Sequence, residues 1–176
     1  MNEGMHKPMI SFFYLSACAG WVEIMGQKRC AALFQRDGED FWQALDTMLA
    51  GHAYPQTRDG LAMRAGRAAL VHFIGQQGDA LGLTQLDFRL LPVQERLTAG
   101  WQTLTTVCYQ AVAATLSADM QDGYCLCSET PLSAAQAAFV CGFLQEFLCW
   151  ASQGRVYPLR QRDVNGFCFG KEALTL

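Results

Sequence analysis

The segment at residues 131–174 constrains the fold more than any other part of the chain, because it joins an unusually apolar helix to a hairpin. Its apolar residues recur at helical spacing and form one continuous stripe: Val140, Phe143, Leu144, Phe147, Leu148 and Ala151. Pro131 favours a first helical turn, and Ser133 with Gln136 three residues later is typical of a capping box. Gly154 predicts the end of the helix.

Hairpins are predicted on both sides of this helix. The residue pattern changes towards a period of two over residues 113–129, and Asp122-Gly123 indicates a turn within that stretch. After the helix, Asn165-Gly166 offers the positive backbone angles that a tight turn needs. Strands joined by hairpins pair antiparallel, and the helix must cover one face of their sheet. The sequence therefore predicts an α+β fold: N-terminal helices, then hairpin, helix and hairpin, with helices covering an antiparallel sheet.

Several helices are predicted upstream. A loose tail at residues 1–9 precedes an amphipathic helix at residues 10–27 and a shorter helical piece at residues 28–35. A third helix follows, with Asp40 as its N-cap and Gly51 as its stop. We expect all of them to pack on the C-terminal core.

A loop is expected at residues 51–60, and a strongly helical pattern begins at Arg58. That helix carries small residues that predict close approach of another backbone: Ala65, Gly66, Ala68 and Ala69. A connector follows at residues 83–91, and Pro92 opens the longest helix. One buried face of that helix is predicted from residues spaced four and three apart: Leu97, Trp101, Leu104, Cys108, Ala111 and Thr115.

Composition limits the class of protein. With 176 residues and 51% apolar content, the chain is long enough for one domain at residues 10–176. The net charge of -3 and the scattered 13 basic residues give no footprint for direct nucleic-acid binding. No membrane span is predicted, because Glu23, Gln27 and Lys28 interrupt the first apolar segment. Eight cysteines in a chain that can fold without disulfides favour a reducing, cytoplasmic compartment.

Catalytic motifs are scarce. The histidines are dispersed, with His6 in the tail, His52 in a loop and His72 in a helix beside Phe73. Two roles stay open for His72: a residue satisfied by a local hydrogen bond, or one polar contact in an apolar pocket. The sequence has no glycine-rich phosphate loop and no nucleophile-elbow serine, so we expect no catalytic residue and no cofactor.

Cysteine spacing raises the question of a metal site. Cys125 and Cys127 are separated by one residue, which is fewer than in a zinc knuckle, and in a strand they share one face. A site would need Cys141 and Cys168 to converge on them. We predict packing of small side chains and no metal, with the four-cysteine site as the alternative.

Three segments carry a family pattern: GLAMRAGRAAL, FRLLPVQERLTAG and VCGFLQEFLCWASQGRVYPLRQRDVNGFCFGKEAL. Over residues 58–174 the chain resembles the 4-vinyl reductase domain family. These are small hydrocarbon-binding domains, found alone and as sensory modules of aromatic-responsive transcription activators. The resemblance implies an α+β domain related to vesicle-tethering subunits and haem-based gas sensors. Such domains are usually dimeric, with an apolar ligand chamber between helices and sheet.

Many sensory members of that family bind structural zinc, and this chain keeps one of the ligand positions, Cys168. The other positions are occupied by residues that are neither cysteine nor carboxylate: Ala137 or Ala138, Gln161 and Val164. The resemblance therefore implies a zinc-free member. Such a member must hold its final hairpin by burial, for which Phe167 and Phe169 are the candidates.

The leading hypothesis is a non-catalytic binding or sensor domain for a small apolar or aromatic molecule, acting as a homodimer. Five residues are the candidate ligand contacts: His72, Trp101, Phe143, Phe147 and Tyr157. Packing in a filled core is the alternative role for each. Two other functions stay open. One is an enzyme or accessory protein of tetrapyrrole vinyl-group reduction, which would need a partner because no nicotinamide or flavin motif occurs. The other is a structural dimerisation domain without a ligand.

Overall fold

The fold is α+β, as the sequence predicts, with a four-stranded antiparallel sheet and long helices. The computed structural model describes residues 9–51, 54–119, 122–170 and 172. The predicted tail lies outside these residues except for Met9, which begins the first helix, and His6 and His52 also lie outside them. The helices are α1 (Met9–Met25), a 3-10 turn (Ala31–Leu33), α2 (Gly38–Ala50), α3 (Pro55–Gln77), α4 (Leu86–Leu90), α5 (Val93–Val112) and α6 (Ala134–Ala151). The strands are β1 (Ala114–Asp119), β2 (Gly123–Ser128), β3 (Leu159–Asp163) and β4 (Gly166–Phe169).

Both predicted hairpins form, and the second strand of each lies at the centre of the sheet. The strand order is β1-β2-β4-β3, with every neighbouring pair antiparallel. The register places Cys125 opposite Ser117 on one side and Cys168 on the other. Alternation then sends Tyr124 and Phe169 to the helical side, where both are buried. The opposite face of the sheet carries exposed polar residues: Thr115, Ser117, Cys127 and Arg160.

Helix α6 runs through the centre of the molecule and has the predicted capping box. The Ser133 hydroxyl accepts a hydrogen bond from the Gln136 backbone N–H at 3.2 Å, and the Gln136 side chain accepts one from the Ser133 N–H at 2.9 Å. At the other end Gln153 (φ 63°) and Gly154 (φ 96°) adopt left-handed conformations. The Gly154 N–H donates to the Cys149 carbonyl at 2.8 Å, which closes the last turn.

The small residues of α3 permit two helices to approach it closely, as predicted. A Cβ built on Gly66 would collide with the Phe139 carbonyl oxygen of α6, and one built on Gly142 would lie 2.9 Å from the Met63 Cα of α3. On the other side of α3, a Cβ on Gly20 of α1 would lie 2.7 Å from the Ala69 backbone nitrogen. Backbone therefore packs directly on backbone, and these three positions tolerate only glycine.

Four local predictions are wrong in detail. Thr115 does not belong to the buried face of α5, because Ala113 takes a left-handed conformation (φ 49°) and the chain continues as β1. Helix α2 begins before Asp40, with Asp37 as its N-cap residue. The loop predicted at residues 51–60 is mostly helix, since Pro55 takes the first position of α3.

The turn between β3 and β4 also differs from its prediction. Neither Asn165 nor Gly166 has a positive φ. The Asp163 carboxylate instead accepts a hydrogen bond from the Asn165 backbone N–H at 2.8 Å, beside an irregular register. A side-chain turn therefore replaces the expected backbone turn.

By length and composition, α6 is the one helix in the described part of the chain that reaches the limits for crossing a membrane. Half of that stretch is buried by the rest of the chain, and a central core helix meets the same criteria. Buried α6 residues such as Phe139 and Phe143 contact rings of α1 and α3. We therefore treat α6 as the core helix of this fold.

Candidate functional site

Two of the predicted ligand contacts lie together between α5 and the sheet. The indole nitrogen of Trp101 donates to the Ser117 carbonyl at 3.0 Å. Its ring contacts those of Tyr124 and Phe169, with centroids 5.4 and 5.7 Å apart. Tyr157 reaches the same cluster from the segment before β3, with its ring 6.0 Å from that of Tyr124. These rings pack against one another in the layer between α5 and the sheet.

Phe143 and Phe147 lie on α6, and both side chains are fully buried. The Phe143 ring contacts Phe13 and Phe73, with centroids 5.5 and 5.6 Å apart, in the layer between α1, α3 and α6. Phe147 lies one turn further along and rests on Gly100 of α5, where a Cβ would collide with the tip of its ring. The two phenylalanines therefore belong to different packing clusters.

His72 lies apart from the other four predicted contacts. It is half-exposed on α3, and its Nε2 atom lies 3.2 Å from a carboxylate oxygen of the exposed Glu23 on α1. Glu23 is thus a hydrogen-bond partner for His72, as the first of the two roles considered for this histidine requires. None of the five predicted residues lines the three surface cavities that we describe, and a ligand role for them stays a prediction.

One cavity combines an aromatic wall with positively charged side chains, and we name it the α4–α6 groove. It has a volume of about 340 Å³ and is defined by Ile74, Phe88, Arg89, Arg96, Trp150 and Gln153. The rings of Phe88 and Trp150 lie nearly parallel, at an interplanar angle of 15° and a centroid separation of 6.2 Å. Beneath them lies Phe147, whose ring centroid is 6.1 Å from that of Trp150. One predicted residue therefore supports the floor of this groove without lining it.

Local structure explains how the groove residues are placed. Helix α4 is a single short turn between the end of α3 and Pro92, and it holds Phe88 and Arg89 above the first turn of α5. The Arg96 guanidinium donates through Nη1 to the Arg89 carbonyl at 2.9 Å, which ties α4 to α5. Trp150 lies in the last turn of α6 on its partly exposed side, whereas the next residue, Ala151, is buried.

The largest of the three cavities, which we name the α1 groove, shares no lining residue with the α4–α6 groove. It has a volume of about 530 Å³ and is lined by α1 and by residues 33–37. Leu15 and Phe34, on its two sides, are 45% and 38% exposed. This is an open apolar surface and not an enclosed chamber.

The cysteines do not converge as a metal site requires. Cys125 and Cys168 form a disulfide across β2 and β4, with their Cα atoms 4.2 Å apart. Cys127 is exposed on the same sheet face, whereas Cys141 is buried in α6. Within the described residues, no three histidine, cysteine or carboxylate side chains come together. Cys168, which matches the zinc position of the resembled family, is therefore bonded to Cys125, and the described side chains around it do not supply a set of zinc ligands.

Burial controls the chemistry of the core thiols. Cys108 of α5 and Cys141 of α6 are both inside the core, and loss of hydration raises the pKa of each thiol to about 12. For Cys108, the neighbouring Cys141 thiolate is a second and smaller cause that raises the pKa, whereas for Cys141 burial is the one cause. At neutral pH both are protonated and unreactive, which suits packing and excludes a nucleophilic role.

Sequence reasoning missed the residues that define the groove. The signal for Arg96 was present, because it stands four residues before Gly100 and beside Leu97, at the edge of the apolar stripe of α5. A charged residue in such a position is informative, since buried polar groups need a partner. Phe88 and Arg89 lie in a segment interpreted as a connector, and no periodicity indicated their direction.

Comparison with known proteins gave no identification. No family model, curated protein or solved structure matches this chain. The resemblance to the 4-vinyl reductase domain family therefore stays a prediction, and function must be argued from the geometry alone.

Proposed function

We propose that this protein is a non-catalytic binding module that takes a small apolar or aromatic molecule in the α4–α6 groove. The observation that carries the proposal is the pair of nearly parallel rings of Phe88 and Trp150 in one groove with the polar Arg96. Small-molecule sites combine mostly apolar walls with a few polar groups, and commonly have volumes of roughly 300–1,000 Å³. A groove of about 340 Å³ accommodates a body of one or two fused rings.

Trp150 gives a direct way to test this proposal. It is 37% exposed, whereas Trp21, Trp42 and Trp101 are all at most 5% exposed, so a ligand in the groove should quench mainly Trp150 fluorescence. We expect at least one of three two-ring probes, 2-naphthol, 2-naphthamide or 2-naphthoate, to quench it and raise the unfolding temperature. The Trp150→Phe variant should keep the thermal shift and lose the quenching.

The alternatives give different results in the same experiment. If no probe changes the unfolding temperature or the Trp150 fluorescence, the proposed groove is not a binding site and a structural role is favoured. Conversion of a vinyl tetrapyrrole in the presence of added reductant would instead support the enzymatic hypothesis.

We also propose that two copies associate through the α1 groove, where Leu15 and Phe34 are exposed. In a two-fold dimer the same surface meets itself, so it must be self-complementary. The groove carries Arg36 and Asp37 side by side, so a two-fold arrangement can place the arginine of each copy against the aspartate of the other.

Sedimentation equilibrium tests this association. Leu15→Glu should shift the protein to the monomer, because it adds negative charge to the centre of the apolar surface. Val71→Glu, at a residue 63% exposed on α3 and outside the groove, is the matched control and should leave association unchanged. A wild-type protein that stays monomeric at high concentration would refute this part of the proposal.

A cytoplasmic location is the last part of the proposal, and the cysteines bear on it in two ways. Six described cysteines are free, which suits a reducing compartment, but disulfides such as Cys125–Cys168 are rare there. The number of thiols that can be alkylated in protein denatured directly from cells distinguishes a reducing from an oxidising compartment. Eight labelled thiols would support the cytoplasm, and six would support an oxidising compartment.

A further inference from the structure

Arg96 is the most unusual charged residue in the described part of the chain. Its residue exposure is 6%, and it is the only arginine or lysine among the buried residues described. Its Nη1 atom donates to the Arg89 carbonyl, but its Nε atom is buried and has no acceptor. Burial of an ionised group with incomplete hydrogen bonding costs free energy, so an acceptor for this guanidinium is missing.

The missing acceptor is not a described carboxylate. Arg162 lies 3.3 Å from the Asp122 carboxylate and His72 lies 3.2 Å from that of Glu23, and neither contact includes Arg96 or its neighbour Arg89. This is notable in a chain with 16 acidic and 13 basic residues. Two arginines therefore line one groove without a carboxylate partner among the described residues, and the buried one, Arg96, is of the kind that is ordinarily paired.

The Nη2 atom of Arg96 also has no acceptor among the described residues, and it is not one of the fully buried unpaired atoms. Arg96 lines the groove, so a ligand there would meet its side chain, and this end of the guanidinium has donors to offer. A planar guanidinium binds a planar carboxylate with charge-assisted hydrogen bonds. The Phe88 and Trp150 rings lie along the same groove and offer a surface for a flat apolar body.

We infer that the ligand of the α4–α6 groove is an aromatic monocarboxylate, whose carboxylate binds Arg96, with Arg89 beside it, and whose ring lies against Phe88 and Trp150. This inference rests on the proposed binding function and specifies the ligand class. The competing explanation is purely structural: Arg96 joins α4 to α5 through the Arg89 carbonyl and does nothing else. The two explanations differ in what a neutral isostere of the ligand should do.

The experiment compares 2-naphthoate with 2-naphthamide, which have the same ring system and differ in charge. Titration calorimetry on the wild-type chain should show tighter binding of 2-naphthoate by roughly ten- to a hundredfold, the range expected for hydrogen bonds to a charged group. Arg96→Met should remove that preference and leave 2-naphthamide affinity unchanged. Arg96→Lys keeps the charge without the planar fork and should restore part of the preference.

Stability without any probe supplies the second readout. Because an incompletely paired buried charge is costly, Arg96→Met should leave the unfolding temperature unchanged or raise it. Arg64→Met, at an exposed arginine of α3, is the matched control and should change neither the temperature nor the preference.

Each outcome decides between the explanations. If both probes bind equally and Trp150 is quenched, the binding function stands and the carboxylate inference fails. If Arg96→Met lowers the unfolding temperature and weakens both probes equally, Arg96 is structural and the inference also fails. If neither probe binds the wild-type chain, the proposed function fails and this inference fails with it.

Discussion

The two ends of α6 use the same apolar helix in opposite ways. Up to its midpoint, where Gly142 lies against the α3 backbone and Phe143 is enclosed by rings from α1 and α3, the contact is complete. At its C-terminal end, Trp150 is partly exposed and lines a groove of about 340 Å³. We refer to the part of α6 up to Phe143 as the closed end and to its last turn as the open end.

The difference teaches that aromatic content does not by itself make a binding site. Glycine at Gly66 and Gly142 removes the side-chain layer between α3 and α6, so no space remains there. At the open end the facing element is the short α4, whose Phe88 ring lies near Gly100 of α5 and beside Trp150, so α6 is only partly covered. Volume therefore appears where the partner helix is too short to cover α6.

The largest expected effect contrasts one aromatic residue from each end. Phe143→Ala should lower the free energy of unfolding by about 3–5 kcal/mol, because it leaves a cavity in a packed core. Trp150→Ala should cost about 2 kcal/mol or less, since the ring is already partly exposed, while abolishing probe binding. Urea unfolding of both variants measures this, and equal losses would remove the distinction between the ends.

The next effect concerns the closed end and uses two glycines of α3. Gly66→Ala should destabilise the protein by about 1–3 kcal/mol, because the new methyl group collides with the Phe139 carbonyl. A Cβ added at Gly75 would have no atom within 4 Å, so Gly75→Ala should stabilise the protein by about 0.5–1 kcal/mol through higher helix propensity. The same substitution in one helix thus has opposite signs, and two shifts of the same sign would contradict close backbone packing.

A third effect is the pH dependence of the closed end. Burial raises the pKa of Cys108 and Cys141 from 9.0 to about 12, so the folded protein keeps protons that the unfolded chain loses. Their stabilising contribution is complete below pH 9 and is lost as the pH rises towards 12.

Urea unfolding at pH 8 and pH 10 should therefore show a loss of about 1 kcal/mol for each thiol. The Cys108→Ala/Cys141→Ala double variant should show a smaller loss than the wild-type chain. An identical pH dependence in the two proteins would show that these thiols are hydrated.

The smallest effect lies at the open end. Gln153 holds a left-handed conformation (φ 63°) after α6, so Gln153→Gly should stabilise the protein by up to about 1 kcal/mol. Gln153→Ala retains the unfavourable conformation and is the control. Thermal unfolding measures both, and a loss of stability in the glycine variant would mean that the glutamine side chain contributes contacts of its own.

The sequence by itself determined the elements of the C-terminal half and their order. Ser133 and Gln136 fixed the start of α6, and Asp122-Gly123 marked the first hairpin, because these signals act over three or four residues. Small residues in α3 correctly predicted close packing, since a residue without a Cβ lets another backbone approach whichever helix that backbone belongs to. The start of α3 at Pro55 and the turn at Asp163 were missed, because proline and aspartate each support more than one local structure.

Only the tertiary structure decided which aromatic residues are core and which line a groove. Phe143 and Trp150 occupy the same apolar helix, and nothing in their spacing shows that one is enclosed while the other faces a gap. The groove brings together Phe88, Arg96 and Trp150 from three helices. Their positions relative to one another depend on the length of α4 and on how closely α3 packs against α6, and both result from many contacts between residues far apart in the sequence. Local sequence patterns do not contain this information. For that reason the incompletely hydrogen-bonded Arg96 becomes evidence for a ligand only in the folded chain.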